Sequence, residues 1–330
     1  MHIFKNTHYD FLRWRWYAIG LSALIVVAGV VTIATKGLNK GVEFAGGTVV
    51  IESFEQPVSI QQVRSALEPA FPGVNIQSYG DPSLRQFMIR VPEVGAESGA
   101  LLGAKADAIE AALKQSNIGT FKREATEIVG PAVGAELTTR GIWATVLSLA
   151  GILAYISFRF QLSFAIGAVV ATVHDLLVTF AFLAFFGYDL TLNVIAALLT
   201  ITGFSTNDTI VIFDRVRENL RSMRRDSLDT VINVAINQTL GRTIITSGTA
   251  LLSSLALFFF GGDVLHGFAF TMVVGIIAGT YSTVFIAAAI VSFWRGSTTR
   301  AASHAPASTP APAPQQPQRK QKPQKKARAS

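Results

Sequence analysis

The sequence contains no cysteine, and this absence excludes disulfide bonds and thiolate metal sites. Charge is also scarce, because only 15% of the 330 residues are charged, against roughly 25% in soluble domains. The apolar residues make up 50% of the chain and are gathered into long blocks. Scarce charge and apolar blocks together indicate a membrane protein and argue against a large soluble globule.

The net charge of +7 comes from the C-terminal segment, and the rest of the chain is neutral. All of this excess resides in seven basic residues that follow residue 296, where no acidic residue occurs. Segment 295–330 is rich in Pro, Ala, Gln and Lys, a composition typical of a disordered tail. We expect this basic tail to orient the protein and to attract anionic lipid. The alternative is contact with a ribosome or nucleic acid, but no aromatic residue interleaves the bases, so nucleic acid is not an expected partner.

Six apolar stretches are each long enough to cross a membrane, at about 20 residues per crossing. The first follows a basic segment, as in a signal peptide, but it is too long for that role and predicts a retained anchor. The sequence therefore predicts an α-helical integral membrane protein with six transmembrane helices. The stretches are Trp16–Thr35, Gly141–Phe158, Leu162–Phe186, Leu190–Phe213, Thr243–Phe260 and Gly267–Trp294.

Lysine and arginine are concentrated at alternate ends of these spans, which predicts the orientation of the chain. They precede span 1, lie between spans 2 and 3, and follow spans 4 and 6. The short connections Gly187–Asp189 and Gly261–His266 carry none. We therefore expect residues 1–15 and the tail in the cytoplasm, with residues 36–140 outside and the remaining spans within 141–294.

The outside region 36–140 alternates between the period of strands and the period of helices. Ser59 and Gln62 have the spacing of a capping box at the start of its first helix. The order βαββαβ predicts a small α+β domain of the ferredoxin-like type, a fold that does not by itself indicate a function. Its predicted elements are Thr48–Ser53, Ser59–Ala70, Val74–Tyr79, Gln86–Val91, Ala100–Gln115 and Thr120–Ile128.

Asp208 is the costliest residue in the spans, because a carboxylate at the centre of a membrane helix costs roughly 2.5–3.5 kcal/mol. Thr206 and Asn207 precede it directly in span 4 and are expected to belong to a polar network around it. Arg242 lies at the start of span 5, and its side chain can reach toward Asp208 or extend to the membrane surface. A hairpin of these spans predicts that the two charges lie at similar depth. Helix–helix hydrogen bonding is the alternative role for Asp208.

A second polar pair, His174 and Asp175, lies near the middle of span 3. Asp175 and Asp208 are expected either to share a proton path, as carboxylates do in pumps, or to pair with a partner protein. Moving Arg242 toward or away from Asp208 would change the affinity of that carboxylate for a proton. The segment between spans 4 and 5, residues 218–237, is basic and then amphipathic, which predicts an interfacial helix.

Five motifs in and beside the spans carry a resemblance to a known family. They are Gly41-Val-Glu-Phe-Ala-Gly-Gly-Thr48, Val129-Gly-Pro-Ala-Val-Gly134, Gly203-Phe-Ser-Thr-Asn-Asp-Thr-Ile-Val-Ile-Phe-Asp-Arg-Val-Arg-Glu-Asn219, Gln238-Thr-Leu-Gly-Arg-Thr-Ile-Ile-Thr-Ser247 and Phe260-Gly-Gly262. Over about residues 11–295 the chain resembles the SecD/SecF family of protein-export membrane proteins. The short outside domain resembles the SecF members of that family and lacks the large domain of the SecD members. Two positions depart from the usual pattern, Glu43 in place of an Asp and Phe213 in place of a small residue.

The resemblance implies a role in secretion across the inner membrane of bacteria. Asp208 and Arg242 match the family's residues for proton-driven work, and His174–Asp175 match a further polar pair. The energy source is then the proton gradient, with no cofactor, no metal and no enzymatic reaction. The implied partners are SecD, which would supply six further spans to a pseudo-twofold bundle, the SecYEG translocon with SecA, YajC-type and YidC-type accessory proteins, lipid, and the unfolded polypeptide in transit.

Two other functions stay open on the sequence. One is a proton-coupled half-transporter for lipids or small molecules, and the other is a scaffold that holds other Sec components together. The paired Gly46–Gly47 is expected to form a tight turn where the chain leaves the membrane, or else a hinge on which the outside domain rocks.

Overall fold

A computed structural model describes residues 7–80, 82–92, 99–160 and 162–294. The predicted basic tail, residues 295–330, lies outside the described residues. In chain order the elements are α1 (Arg15–Lys36), α2 (Val42–Ala45), β1 (Gly47–Phe54), α3 (Ile60–Leu67), β2 (Asn75–Tyr79), β3 (Gln86–Pro92), α4 (Gly99–Gln115), β4 (Phe121–Val129), α5 (Pro131–Arg159), α6 (Leu162–Phe186), α7 (Leu192–Ser222), α8 (Leu228–Phe260) and α9 (Gly262–Ser282). A π-helical turn, Thr283–Ala287, follows α9.

Six of the described helices are long and apolar enough to cross a membrane, which confirms the predicted fold class. They are α1, α5, α6, α7, α8 and α9, the last of which forms a span from Val264 to Trp294 with its π-helical turn. The chain is therefore a multi-pass membrane protein. Helix α6 has the bounds that the hydropathy of the sequence predicts.

The prediction of an interfacial helix over residues 218–237 is wrong. Helix α7 continues to Ser222, and α8 starts at Leu228 as one unbroken helix that includes span 5. The apolar face of the first half of α8 is buried against α7 and the π-helical turn, so no surface of the membrane is needed to cover it. The residues of α8 in this core are Val231, Ile232, Ala235 and Ile236.

The domain between α1 and α5, which the sequence predicts to lie outside and which we call the outside domain, contains one antiparallel sheet. Its strand order is β2-β3-β1-β4, the order of a ferredoxin-like split βαβ fold. The predicted capping box of α3 is present, since Ser59 accepts from the backbone of Gln62 and the Gln62 side chain accepts from the backbone of Ser59. Helices α3 and α4 cover one face of the sheet, with Val63, Leu67 and Ile109 fully buried between the two layers.

The membrane bundle is built around α6, α7 and α9, which contribute most of its buried residues. Small residues allow the helices to approach closely, as is usual in membranes. Gly275 of α9 packs directly on Ile201 of α7, and Gly29 of α1 packs on Ala181 of α6. Helix α5 is different, because only 6% of its apolar window is buried within this chain.

The outside domain is docked on the loop between α6 and α7. The backbone N–H of Gly41 donates to the carbonyl of Leu190 (2.7 Å), and the N–H of Leu190 donates to the carbonyl of Asn39 (2.8 Å). Arg90 of β3 forms an ion pair with Asp189 of the loop at 2.9 Å, and both side chains are largely buried. The domain and the two helices that carry Asp175 and Asp208 are thus joined by backbone and side-chain contacts.

Candidate functional site

Asp208 is buried in α7 and faces α8. Its carboxylate is 4% exposed and accepts a hydrogen bond of 3.4 Å from the Ser247 hydroxyl. The Thr243 and Thr246 side chains, one turn or less below Ser247 on α8, are also close to the carboxyl. The Thr243 hydroxyl is buried without a hydrogen-bond partner. Asp208 is therefore surrounded by hydroxyl groups that stabilise a carboxylate weakly.

Arg242 lies on α8 near Asp208, as the hairpin predicts, and its charge acts on that carboxyl. No ion pair within 4.0 Å joins the two residues in the part of the chain that the structure describes. Arg242 is exposed and lines an open cavity of about 490 Å³ at the basic end of the bundle, together with Tyr155, Asp214, Glu218 and Gln238. The structure thus places the pair side by side without direct contact.

Asp175 is buried more completely than Asp208, at 1% exposure in α6. Its two carboxylate oxygens have separate partners. The Ser205 hydroxyl of α7 donates to Oδ2 at 2.5 Å, and Nδ1 of His174 lies 3.1 Å from Oδ1. The other ring nitrogen of His174 is buried without a hydrogen-bond partner. His174 and Asp175 thus act as one polar unit.

Ser205 and Asp208 are one helical turn apart on α7, so they are neighbours on its surface. Ser205 contacts Asp175 of α6, and Asp208 contacts Ser247 of α8. The carboxylates of Asp175 and Asp208 therefore both lie beside the same turn of α7. The sequence does not distinguish Ser205 from its neighbours, because hydroxyl residues are frequent throughout span 4.

Threonines extend this polar region toward α6 and α9. The hydroxyls of Thr172 and Thr206 are 3.4 Å apart, and those of Thr209 and Thr283 are 3.0 Å apart. All four residues are buried. Thr283 begins the π-helical turn, a distortion that is frequent at functional sites. Thr206 therefore lies within this cluster of buried hydroxyl groups.

Asn207 is exposed and does not join Asp208. It lies on the same side of α7 as the exposed residues Thr200 and Gly203, at the spacing of one helical face. A polar, small-residue face on a spanning helix is suited to another helix more than to lipid. Asn207 thus marks the open side of the site.

Two residues from the C-terminal half of α7, both in the Gly203–Asn219 motif, connect α7 to α8. Nε of Arg215 donates to Oε1 of Gln238 at 2.6 Å, and the Asn219 amide donates to the same oxygen at 2.9 Å. Phe213, the departure in this motif, packs on Phe164 with ring centroids 5.1 Å apart. The motif therefore fixes the helix pair that carries Asp208 and Arg242.

Gly46 and Gly47 form the turn between α2 and β1. Their φ angles are 74° and 131°, values at which a side chain would be strained. Gly134 of α5 packs on this turn, because a Cβ at that position would meet the carbonyl of Phe44 at 3.1 Å. The tight-turn interpretation agrees with this geometry.

A cleft of about 370 Å³ lies between the uncovered face of the sheet and the outer ends of the bundle. Arg90 and Asp189 line it, with Glu43 and His266. His266 Nδ1 lies 3.1 Å from the hydroxyl of Tyr188, which is next to Asp189. Nε of Arg90 and Oδ1 of Asp189 are buried without partners. The sequence provides no sign of this contact, because Arg90 and Asp189 are 99 residues apart.

Close packing around Asp175 leads to a prediction at Gly279 of α9. A Cβ at this position would lie 2.9 Å from Cβ of Ser205 and 3.6 Å from Oδ2 of Asp175. We expect Gly279→Val to push α7 away from α9 and to cost about 1–3 kcal/mol, as overpacking does. Thermal unfolding in detergent measures this cost. Gly20→Val in α1 is the control, since nothing lies within 4 Å of its Cβ, and equal losses in both variants would contradict the prediction.

Among the residues described, no group of three or more His, Asp or Glu residues could hold a metal ion. The titratable groups of the bundle occur instead as the Asp208–Arg242 and His174–Asp175 pairs. The arrangement can bind a proton on either carboxylate.

Family models and relatives agree on the identity of the chain. Residues 108–297 match the C-terminal model "Protein export membrane protein SecD/SecF", and residues 31–58 match the "SecD/SecF GG Motif". "Protein translocase subunit SecF" of Desulfurispirillum indicum is 42% identical, over 86% of this chain and 91% of that protein. Its counterpart from Escherichia coli O157:H7 is 40% identical, over 86% of each chain.

Solved structures show the same likeness. The crystal structure of SecDF, a translocon-associated membrane protein from Thermus thermophilus, superposes with a TM-score of 0.77 at 33% identity. The likeness covers 88% of this chain but only 39% of the SecDF chain, so this chain spans about two-fifths of that protein. On the family models, relatives and fold together, the chain belongs to the SecD/SecF family of protein-export membrane proteins.

Proposed function

We propose that this chain is a proton-coupled accessory subunit of Sec protein export that works in a complex with SecD and catalyses no chemical reaction. The observation that carries the proposal is Asp208, a buried carboxylate inside a spanning helix with a cation nearby and without a strong partner. Ionisable residues in such positions mark ion and proton paths. No cofactor is needed, because the proton gradient supplies the energy.

SecD is the proposed occupant of the open side of the bundle. Asn207 and Gly203 are exposed on α7, while α5 buries little within this chain and α8 buries only 17% of its apolar window. SecDF of Thermus thermophilus is more than twice as long as the part matched by this chain. A second set of spans against α5, α7 and α8 would remove these polar groups from lipid.

In the proposed relay, Asp208 takes up and releases the proton while Arg242 controls its affinity. Arg242 has room to move because it is exposed and lines an open cavity. When the guanidinium approaches Asp208, the ionised carboxylate is favoured. When it moves away, the protonated acid is favoured. Asp175, held by His174 and Ser205, is the secondary proton group.

The proposed location is the bacterial inner membrane, with both termini in the cytoplasm. The starts of α1 and α8 lie close to Ser292 of the last span, since Arg15 pairs with Asp229 at 3.1 Å and also donates to Ser292. Arg217 reaches the carbonyl of Arg159 at the same end. Basic residues thus collect at one end of the bundle, and the positive-inside rule assigns that end to the cytoplasm.

The outside domain is proposed to contact the unfolded polypeptide after SecYEG and SecA have passed it across the membrane. YajC-type and YidC-type proteins are further proposed partners. Motion of α6 or α7 would reach the domain through the Asp189–Arg90 pair, and the Gly46–Gly47 turn is the proposed hinge. The proposed mechanism therefore couples one proton event to movement of the sheet.

The decisive test of this function uses membrane vesicles that contain SecYEG, SecA and SecD, with and without this chain. We expect the chain to increase the translocation of a secreted precursor when a proton gradient is present. An uncoupler should remove the increase. An increase that survives the uncoupler would favour the scaffold interpretation. Efflux of small amphiphiles by the purified complex would favour the half-transporter.

The interdomain ion pair leads to a separate prediction. Removing one partner of a buried pair is expected to cost about 3–5 kcal/mol, because the other charge remains buried. We expect Arg90→Gln to weaken docking of the domain and to expose the backbone amides of Gly41 and Leu190 to hydrogen exchange. The exchange rates of these amides measure the effect.

The control is Lys122→Gln, which removes an exposed cation from the same sheet. The exchanged pair Arg90→Asp with Asp189→Arg should restore part of the protection. If Arg90→Gln leaves both amides as protected as in the unaltered protein, the ion pair does not hold the domain.

A further inference from the structure

Glu52 is a fully buried carboxyl group in the outside domain. It is 0% exposed and lies on β1 between Val50 and Phe54, which point into the hydrophobic core under α3 and α4. Both of its carboxylate oxygens are buried without a hydrogen-bond partner. Buried charges are normally paired or hydrogen bonded, so an unsatisfied carboxylate here is unexpected for a purely structural residue.

The cation nearest to Glu52 is already engaged by other groups. Nε of Arg123 on β4 lies 4.0 Å from Glu52, but only 2.6 Å from the Glu110 carboxylate of α4. Nη2 of Arg123 also pairs with Asp107 at 3.0 Å and donates to the carbonyl of Ala106 at 3.1 Å. Arg123 therefore links α4 to the sheet, and its charge neutralises the Glu52 carboxylate only weakly.

The sheet is distorted at the same position. The register between β1 and β4 shifts between Ile51 and Glu52, so that Glu124 is the extra residue of a β-bulge. Bulges are frequent beside functional residues, because they redirect a side chain. Here the bulge places Arg123 opposite Glu52. Phe87 of β3 is the partner of Glu52 on its other side and contributes no charge.

We propose that Glu52 is a proton-binding site of the outside domain, and that proton binding tightens the packing of α4 on the sheet. This site is separate from the membrane relay and does not depend on it. With the proton bound, Glu52 is neutral and Arg123 remains with Glu110 and Asp107. When the proton leaves, the buried carboxylate attracts Arg123 away from Glu110 or draws water into the core. Either change loosens α4.

The electrostatics agree with this proposal. The pKa of Glu52 is raised to about 7, chiefly by burial and then by the carboxylate of Glu110, while Arg123 and Lys114 oppose the shift and Glu124 adds a smaller increase. The stabilisation from the protonated form is complete below the ordinary pKa of 4.5 and is lost as the pH rises to about 7. The domain is therefore expected to be more stable in mildly acidic than in mildly alkaline solution.

The test compares hydrogen exchange of α4 in the full chain at pH 6 and pH 8, expressed as protection factors that remove the intrinsic pH dependence. A pKa near 7 in the fold and 4.5 when opened predicts that protection falls about tenfold between these pH values. Glu52→Gln cannot titrate, and its α4 protection should be independent of pH. Glu55→Gln, an exposed neighbour on the same segment, should behave as the unaltered chain does.

A direct measurement guards against a variant that does not fold. The infrared carboxylic-acid band of the unaltered chain should contain a component that titrates near pH 7 and that is missing from Glu52→Gln. Arg123→Gln should move that component to higher pH, because it removes the nearest cation. The proposal is overturned if no component titrates above pH 6, or if Glu52→Gln and Glu55→Gln show the same pH dependence in α4.

Discussion

Asp208→Asn is expected to abolish the part of protein export that depends on the proton gradient, while the complex with SecD still assembles. Asparagine keeps the size of the side chain and can still accept from Ser247, so packing between α7 and α8 should survive. It cannot gain or lose a proton. One charge that crosses 100 mV is worth about 2.3 kcal/mol, or roughly 50-fold in an equilibrium.

The measurement is translocation of a precursor into vesicles, with and without the gradient. Asp226→Asn is the control, because it removes an exposed carboxylate in the loop between α7 and α8. It should export at the normal rate. Asp208→Glu retains an ionisable group and should keep part of the gradient-dependent rate. Full activity of Asp208→Asn would show that Asp208 serves packing.

Arg242→Ala is expected to be about as damaging as Asp208→Asn, and the double variant should be no worse than either. The physical reason is that the two residues form one functional unit, whose removal is complete after the first substitution. Residues that act together are strongly non-additive. Because Arg242 is exposed, its loss should leave the thermal stability of the bundle nearly unchanged.

A double-mutant cycle on the export rate measures this coupling. Arg225→Ala removes an exposed cation of the loop between α7 and α8 and is the matched control. Arg242→Lys retains a charge but loses the planar fork of the guanidinium, so we expect intermediate activity. Rate losses that simply multiply in the double variant would mean that Arg242 and Asp208 work independently.

Long, regular signals in the sequence predicted the fold well. Span 3 could be delimited at Leu162 and Phe186 because charged or turn-forming residues flank a long, predominantly apolar run. The start of α8 could not be predicted in this way. An amphipathic face over residues 228–237 looks the same whether it meets the membrane surface or another helix, and only the tertiary structure shows that α7 covers it.

The candidate site was predicted in part for the same reason. Asp208 and Asp175 stand out because charge is costly in a span, whereas Ser205 and Ser247 do not. Their roles depend on which helix faces them. Asn207 was grouped with Asp208 by sequence proximity, although adjacent helical residues point about 100° apart. The burial of Glu52 could be predicted from the sequence, since strand alternation places it on the face of Val50 and Phe54.

Proton flux through the purified complex tests the central claim most directly. This chain and SecD are reconstituted in vesicles with an imposed pH gradient, and the decay of the gradient is followed with a pH-sensitive dye. We predict that the unaltered complex conducts protons and that Asp208→Asn reduces the flux to that of protein-free vesicles. Equal flux in the two complexes would contradict the claim that Asp208 carries the proton.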